Sequence, residues 1–321
     1  MQRGSPPSDR IVAEAAWLYY IRNLTQGEIA ARMKLSRPTV ISYLKLAKER
    51  RIVSVRLTGD HLQANDLAER LVEGFGLETA YVVPESDLDP DRPAHEVCVA
   101  AGQVLPDFLS PGDQLGVSWG STVSGVAETM PYWPVEDLTV RQLIGSMANP
   151  LLPTSERCST EIAHRLSAQC INLNAPAVCS SRELATMLRA EPIITEQLTH
   201  LKDCNKAIYS VSPCTPDTHV VKFKIAAEAD IVDYRRKGAA GIIAGRFIDA
   251  NGDPVTGALD ARLIGADHDT LRRMQGLLVA SGTEKAGAAL AALRGKYVSR
   301  IVVDAPLASA ILDGPARLAE L

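Results

Sequence analysis

Two helix-start signals stand close together in "TQGEIAARMKLSRPTVISYLKLAKERR", and their spacing constrains the front of this chain more than any other feature. Thr25 and Glu28 form a T-x-x-E capping box, which starts a helix near Gln26. Ser36 is a good N-cap for the next helix, and Pro38 falls in that helix's first turn, where a missing N–H costs little. Only a short helix and a tight turn fit between the two caps, which is the helix-turn-helix arrangement. Ile29, Ala30, Met33, Leu35, Val40 and Tyr43 fill its buried slots, and Ala30 is small enough to let the helices cross closely. Lys34 occupies the turn position usually held by glycine and must adopt a left-handed conformation. Upstream, Ile11, Ala15, Leu18 and Ile21 are spaced for one face of a preceding helix. Downstream, Val40, Leu44 and Ala47 share a face, and "IVSVRL" (Ile52 to Leu57) alternates like the strand of a small wing.

Charge separates this segment from the rest. Residues 1–57 hold 11 Lys/Arg against 4 Asp/Glu, and residues 58–321 hold 23 against 34, net +7 and −11. A basic end on an acidic body suits local contact with a polyanion. In a helix-turn-helix the last helix enters the major groove by its N-terminus. That places Gln26, Ser36, Arg37, Pro38, Thr39, Ser42, Tyr43 and Lys45 near DNA. Arg37 suits a guanine edge or a phosphate, and Ser36 and Thr39 suit phosphate oxygens. Lys48, Arg50 and Arg51 would add charge along the backbone path, although a solvated basic face on an ordinary helical bundle has the same composition.

No apolar run approaches the ~18 residues of a membrane helix. The opening "MQRGSPPSDR" lacks the apolar stretch of a signal peptide, so a cytoplasmic location is expected, with residues 1–9 as a disordered arm. Six cysteines are scattered without a C-x-x-C pair, and the six histidines show no ligand spacing. Reduced thiols, no metal and no cofactor are expected.

From about residue 59 the pattern alternates strands and helices. "LAERLVEGFGLETAYVVPE" reads as helix, break and strand, and "GQVLPDFLSPGDQLGVSWGSTVSGVAETM" as helix, strand, loop and helix. "LTVRQLIGS", "CNKAIYSVS" and "AAGIIAGRFID" read as strands, and "LLVASGTEKAGAALAALRGKYVSRIVVDAPLASAILD" as strand, helix, strand, helix. The fold class expected is a small all-α winged helix-turn-helix domain (10–58) followed by a larger α/β, Rossmann-like, mostly parallel effector-binding and oligomerisation domain (59–321). Leu67 and Leu71, four apart in "NDLAERLVEGF", serve either an oligomer contact or the core.

"GVSWG" (Gly116 to Gly120) matches the G-x-S-x-G nucleophile elbow, yet no oxyanion-hole segment precedes it. His268 with Asp249 or Asp304 would have to complete a triad, and nothing in their spacing supports it. A cradle fits better: Gly120, Ser121 and Thr122 open a helix after a strand, where backbone N–H groups and hydroxyls attract an anion, although a plain capped turn looks the same. Lys285 in the first turn of a later helix opposes the helix dipole unless an anion binds there, or else is simply exposed. Asp249 before the tight-turn signal Asn251-Gly252 either supports the turn or accepts hydrogen bonds from ligand hydroxyls. Gly145, in the strand-end loop "QLIGS", is a further candidate for lining the pocket.

These segments together resemble the SorC/DeoR-type sugar-binding transcriptional regulators. "LTQGEIAARMKLSRPTVISYLK" carries the likeness at the front. "LGVSWGSTV", "VRQLIGS", "GRFIDANGDPV" and "SGTEKAGAALAALRGKYVSRIVVDAPLASAIL" carry it, in order, through the body. The body is similar to sugar-phosphate isomerases of the glucosamine-6-phosphate deaminase and ribose-5-phosphate isomerase type, and to CoA transferases. The resemblance implies a regulator, commonly a repressor, of a carbohydrate or polyol operon. It implies binding to double-stranded operator DNA as a homodimer or homotetramer, modulated by a sugar, sugar phosphate or polyol. It also implies anion contacts at Gly120, Ser121 and Thr122, hydroxyl contacts at Asp249 and a phosphate or sugar-oxygen contact at Lys285. The competing reading is an enzyme with an appended DNA-binding domain, for which no positioned general base is identifiable.

Overall fold

The computed structural model describes residues 7–50, 52–53, 59–89, 92–147 and 153–314. The chain divides into two units, Met1–Thr58 and Gly59–Leu321, each described here by itself.

The first unit is three helices, α1 (Asp9–Tyr20), α2 (Gln26–Met33) and α3 (Arg37–Glu49). Both caps form. The Thr25 hydroxyl accepts from the Glu28 amide at 3.3 Å while Glu28 accepts from the Thr25 amide at 2.8 Å, and Ser36 Oγ accepts from the Thr39 amide at 3.2 Å. Lys34 ends α2 at φ 56°, ψ 43°, the left-handed turn anticipated for it. Val12, Ala16, Leu18, Ile29, Ala30, Val40, Leu44 and Ala47 form the core, with Met33, Leu35 and Tyr43 packed at its edge. The expected face of α1 forms at Ile11, Ala15 and Leu18 but not at Ile21. Val12, Ala15, Ala16 and Leu18 are buried, whereas Ile21 lies past the helix end and is 66% exposed. Arg50 Nη1 donates to Asp9 Oδ1 at 2.8 Å and to the Pro7 carbonyl at 2.9 Å, tying the end of α3 to the start of α1. Of the expected wing, Ile52 and Val53 are bends against this core; residues 54–57 lie outside the described residues, as do 1–6 of the expected arm.

The second unit runs α4 (Gly59–Phe75), β1 (Thr79–Val83), α5 (Pro93–Phe108), β2 (Gln114–Val117), α6 (Ser121–Thr129), β3 (Thr139–Gln142), α7 (Ser155–Arg165) and β4 (Gln169–Ile171). It continues α8 (Arg182–Ala190), α9 (Pro192–His200), β5 (Lys206–Tyr209), β6 (Val211–Pro213), α10 (His219–Lys222), α11 (Glu228–Arg236), β7 (Ala239–Ile243) and β8 (Arg246–Asp249). It closes with α12 (His268–Arg273), β9 (Gln275–Ala280), α13 (Ala286–Arg294), β10 (Arg300–Asp304) and α14 (Ala305–Asp313).

Seven strands form one parallel sheet in the order β1-β10-β9-β5-β2-β3-β4. Alternate residues of a strand face opposite sides, so a strand covered on both faces is apolar throughout. Leu278 and Ala280 of β9 and Ile301 and Val303 of β10 enter one core, with α4, α13 and α14. Leu277, Val279 and Val302 enter the other, with α5, α6 and α7. Leu67 and Leu71 are spent in the first core.

A second, smaller sheet, β6-β7-β8, is antiparallel, so the unit as a whole is mostly parallel, as expected. β6 follows β5 after the single residue Ser210, and β7 turns into β8 through Ala244 and Gly245 at φ 47° and 80°. The expected turn at Asn251-Gly252 forms as well: it returns the chain antiparallel onto β8, where Pro254 bridges Ile248 and the Val255 amide donates to Phe247 O at 2.9 Å. Gly252, at φ 84°, docks a later turn against α13: a Cβ on it would lie 2.3 Å from Gly295 Cα.

The caps give a first prediction. In chemical unfolding of the full chain, Thr25→Ala should cost the first unit about 1 kcal/mol, and Lys34→Gly should stabilise it by about 0.5–1 kcal/mol through relief of the left-handed strain.

Candidate functional site: a crevice at the reversal of strand order

From β2 the chain steps outward to β3 and β4, then returns to lay β5 on β2's other side. Parallel sheets open a ligand crevice beyond the carboxyl ends of the strands at such a reversal. The cleft found there is lined by Ser118 to Thr122 after β2, Ser210 to Ser212 after β5, and Lys285 after β9. His219, Val220, Ile242, Ala244 and Gly245 complete it from the side of the small sheet. The cleft has a volume of about 430 Å3, part of it open to solvent.

Gly120 makes the loop possible. Its φ of 107° and ψ of 173° lie where side-chain-bearing residues are strained. The first helical bond of α6 runs from the Ser124 amide to the Gly120 carbonyl, and no side chain caps this helix. The amides of Ser121, Thr122 and Val123 precede that bond and form the positive end of the helix dipole. Lys285 directly precedes α13 and is half-buried rather than exposed. Burial pushes its ammonium pKa down, while Glu284, Asp304 and Cys98 pull it back up. Asp304 orders this corner, accepting from the Gly282 amide at 2.8 Å and the Leu307 amide at 2.7 Å.

Three buried polar atoms on this side of the unit have no hydrogen-bond partner among the described residues: Trp119 Nε1 and Ser210 Oγ in the cleft lining, and Thr218 Oγ1 beside His219. Buried donors are almost always satisfied, so two in one cleft mark it for a ligand that accepts hydrogen bonds. Among the described lining residues there is no Asp, Glu, Asn or Gln.

The structure brings Gly120, Ser121, Thr122 and Lys285 together and leaves two expected residues outside. Asp249 Oδ1 accepts from the Asn251 amide at 2.9 Å and the Asp253 amide at 2.8 Å, so its carboxylate holds the turn and is absent from the cleft lining. Gly145 is wedged among backbone segments. Its amide donates to Ile264 O at 2.9 Å, and a Cβ would lie 2.5 Å from Ala175 O. Sequence reasoning missed His219, Trp119, Ser210 and Ser212. Trp119 lay within the quoted loop, but a lone histidine after a threonine carries no local signal.

The triad reading loses its parts. His268 Nδ1 lies 3.0 Å from the Tyr297 hydroxyl, and Asp249 and Asp304 are committed to backbone amides. Burial, assisted by Arg246, pushes His268 down to about 4. The six cysteines are free thiols, all but Cys170 buried, and no cluster of metal-ligand residues occurs among the described residues.

On the first unit, Ser36, Arg37, Pro38, Ser42 and Lys45 are exposed along α3, with Gln26, Thr39 and Tyr43 half-buried. Arg37 Nε donates to Gln26 Oε1 at 3.5 Å, bringing the two helix starts together. A shallow groove joins both to Tyr19, Tyr20 and Asn23, which sequence reasoning did not single out.

A three-helix unit presenting a polar helix start, and a parallel-sheet unit with a donor-rich crevice at its strand reversal, define a ligand-responsive transcriptional regulator. Comparison with known proteins gives the family. Residues 60–313 match the model described as "Putative sugar-binding domain". The chain is 33% identical, over 95% of both lengths, to the uncharacterized transcriptional regulator YjhU of Escherichia coli K12. It is 28% identical to the deoxyribonucleoside regulator of Bacillus subtilis, covering 94% of this chain and 96% of that one. The full-length sorbitol operon regulator SorC of Klebsiella pneumoniae shares the fold, at a TM-score of 0.71 and 23% identity over 94% of this chain and 98% of the other. The chain belongs to this sugar-binding-domain family of SorC/DeoR-type transcriptional regulators.

His268 supplies the second prediction. Its folded pKa lies below the ordinary 6.5, so the unfolded chain takes up the proton first. The stability contributed by neutral His268 is fully present above about pH 6.5 and is lost as pH falls toward 4. Urea unfolding across that window should show a shallower loss in His268→Gln than in the wild type.

Proposed function

We propose that this regulator is a repressor of a carbohydrate or polyol catabolic operon, released from its operator by a phosphorylated small sugar or polyol held in the cleft. One observation carries the choice of a phosphorylated ligand: the described lining offers a cation, hydroxyls, an unpartnered indole N–H and an uncapped helix start, and no carboxylate or carboxamide. A neutral polyol presents many hydroxyl protons that need acceptors. A phosphate presents only acceptors and favours a helix start. Gly120, Ser121, Thr122 and Lys285 hold the phosphate. Asp249 and Gly145 act at a distance from it, as turn and packing residues.

The first unit acts as a winged helix-turn-helix. The start of α3 enters the major groove, with Arg37 on a base edge or phosphate. Gln26, Ser36, Thr39, Ser42 and Lys45 contact the backbone path, and Pro38 and Tyr43 shape the approach. One such unit makes few base contacts, so two half-sites are read by a homodimer or a tetramer of this chain. Double-stranded operator DNA and the phosphorylated effector are the partners, and the protein works in the cytoplasm. No helix among the described residues is long and apolar enough to cross a membrane. Relatives named for a deoxyribonucleoside and for a sorbitol operon support a carbohydrate signal.

Two variants test the two halves, using DNA that the protein selects from a random pool. Arg37→Ala should weaken binding by about 1–3 kcal/mol, roughly 5- to 150-fold, with ligand-induced thermal stabilisation intact. Lys285→Met should bind that DNA as the wild type does and lose the response to sugar phosphates. Unchanged DNA affinity in the first, or a retained response in the second, contradicts the corresponding assignment.

A further inference from the structure

The cleft holds a second ionisable group that the anion loop does not explain. His219 reaches the lining from α10, on the small-sheet side, whereas Lys285 reaches it from the end of β9 in the large sheet. Its imidazole is held in place: the ring packs edge-on to Phe223 at 6.1 Å and 78°, and Phe223 in turn packs on Trp119 at 4.8 Å. One ring thus positions both His219 and the unpartnered Trp119 Nε1. Trp119 is 8% exposed and lines the cleft, so this unpartnered donor is buried at the cleft wall.

We propose that His219 is the second cation of the anion site, sharing the cleft with Lys285 and taking up a proton when a dianion binds between them. This inference rests on the cleft being the anion site.

The charges around His219 set the direction. Lys285 lines the same cleft, Lys222 lies on its own helix, and Asp217 precedes that helix. In the free protein, burial and then the two lysines hold the imidazole below its ordinary pKa, against a smaller opposing pull from Asp217. The site is therefore undercharged near neutral pH. A dianion between His219 and Lys285 reverses the sign of the local field and favours the protonated ring. By linkage, a group whose pKa is higher in the complex makes binding tighter at low pH and weaker as pH rises through the bound value. The device also separates dianionic from singly charged ligands: a carboxylate offers one charge to Lys285 and leaves little to draw the proton onto His219.

Sulfate is the probe, because its charge does not change across the range. Isothermal titration calorimetry of the full chain, in buffers of different ionisation heat, reads affinity and proton uptake together. Sulfate affinity should fall by about tenfold between pH 5.5 and 8, corresponding to about one pKa unit between free and bound protein. A fraction of a proton should be taken up per sulfate near pH 6.5. His219→Gln should bind sulfate more weakly at pH 5.5, with no pH dependence and no proton uptake. Sulfate binding without uptake in the wild type, or uptake that persists in His219→Gln, overturns the role of His219 and leaves the anion site standing. Failure of the wild type to bind sulfate at any pH overturns both.

Discussion

The reversal of strand order between β2 and β5 is the constraint on which the rest of the second unit depends. A parallel sheet must be covered on both faces, and here two apolar cores do so. Each connection that crosses to one face diverges from its neighbour at the reversal, and the backbone between them cannot close over the strand ends. That opening lies above β2, β5 and β9, and it gathers a glycine-opened helix start, serines and a lysine from segments far apart in sequence. The chemistry follows from where the sheet leaves space.

Electrostatics then decide what the space holds. The unit is acidic overall, yet the described residues of the cleft include no acid. Asp304, one of the two carboxylates that act on Lys285, is 2% exposed and turns both oxygens onto backbone amides. The acid thus orders the loop beside Lys285 without lining the cleft, and the ammonium is left for a ligand. Release from DNA needs only that the ligand favour the DNA-incompetent arrangement by a few kcal/mol.

Much of this was legible in the sequence where the cause was local. The capping box at Thr25, the cap at Ser36 and the forced left-handed turn at Lys34 are backbone requirements that a few residues settle among themselves, and each forms. The strand–loop–helix at Gly120 is of the same kind. Tertiary placement was not legible. Asn251-Gly252 turns the chain back onto β8 as its residues announce, but the hairpin between β7 and β8 turns at Ala244 and Gly245, inside what reads as a single strand. The residues around Asp249 leave turn support and ligand contact equally open, because a carboxylate at a turn serves either purpose; three dimensions assign it to the amides of Asn251 and Asp253. His219 was invisible because its role depends on Phe223, Trp119 and Lys285 meeting through the small sheet, which no spacing in "THVVKF" announces.

The measurement that bears most directly on the central claim is operator affinity, by fluorescence anisotropy, titrated with matched pairs of a sugar or polyol and its own phosphate ester. The account predicts that at least one ester shifts the DNA-binding curve while its unphosphorylated parent, at the same concentration, does not. A parent sugar that shifts the curve as strongly as its ester would contradict an anion-reading cleft.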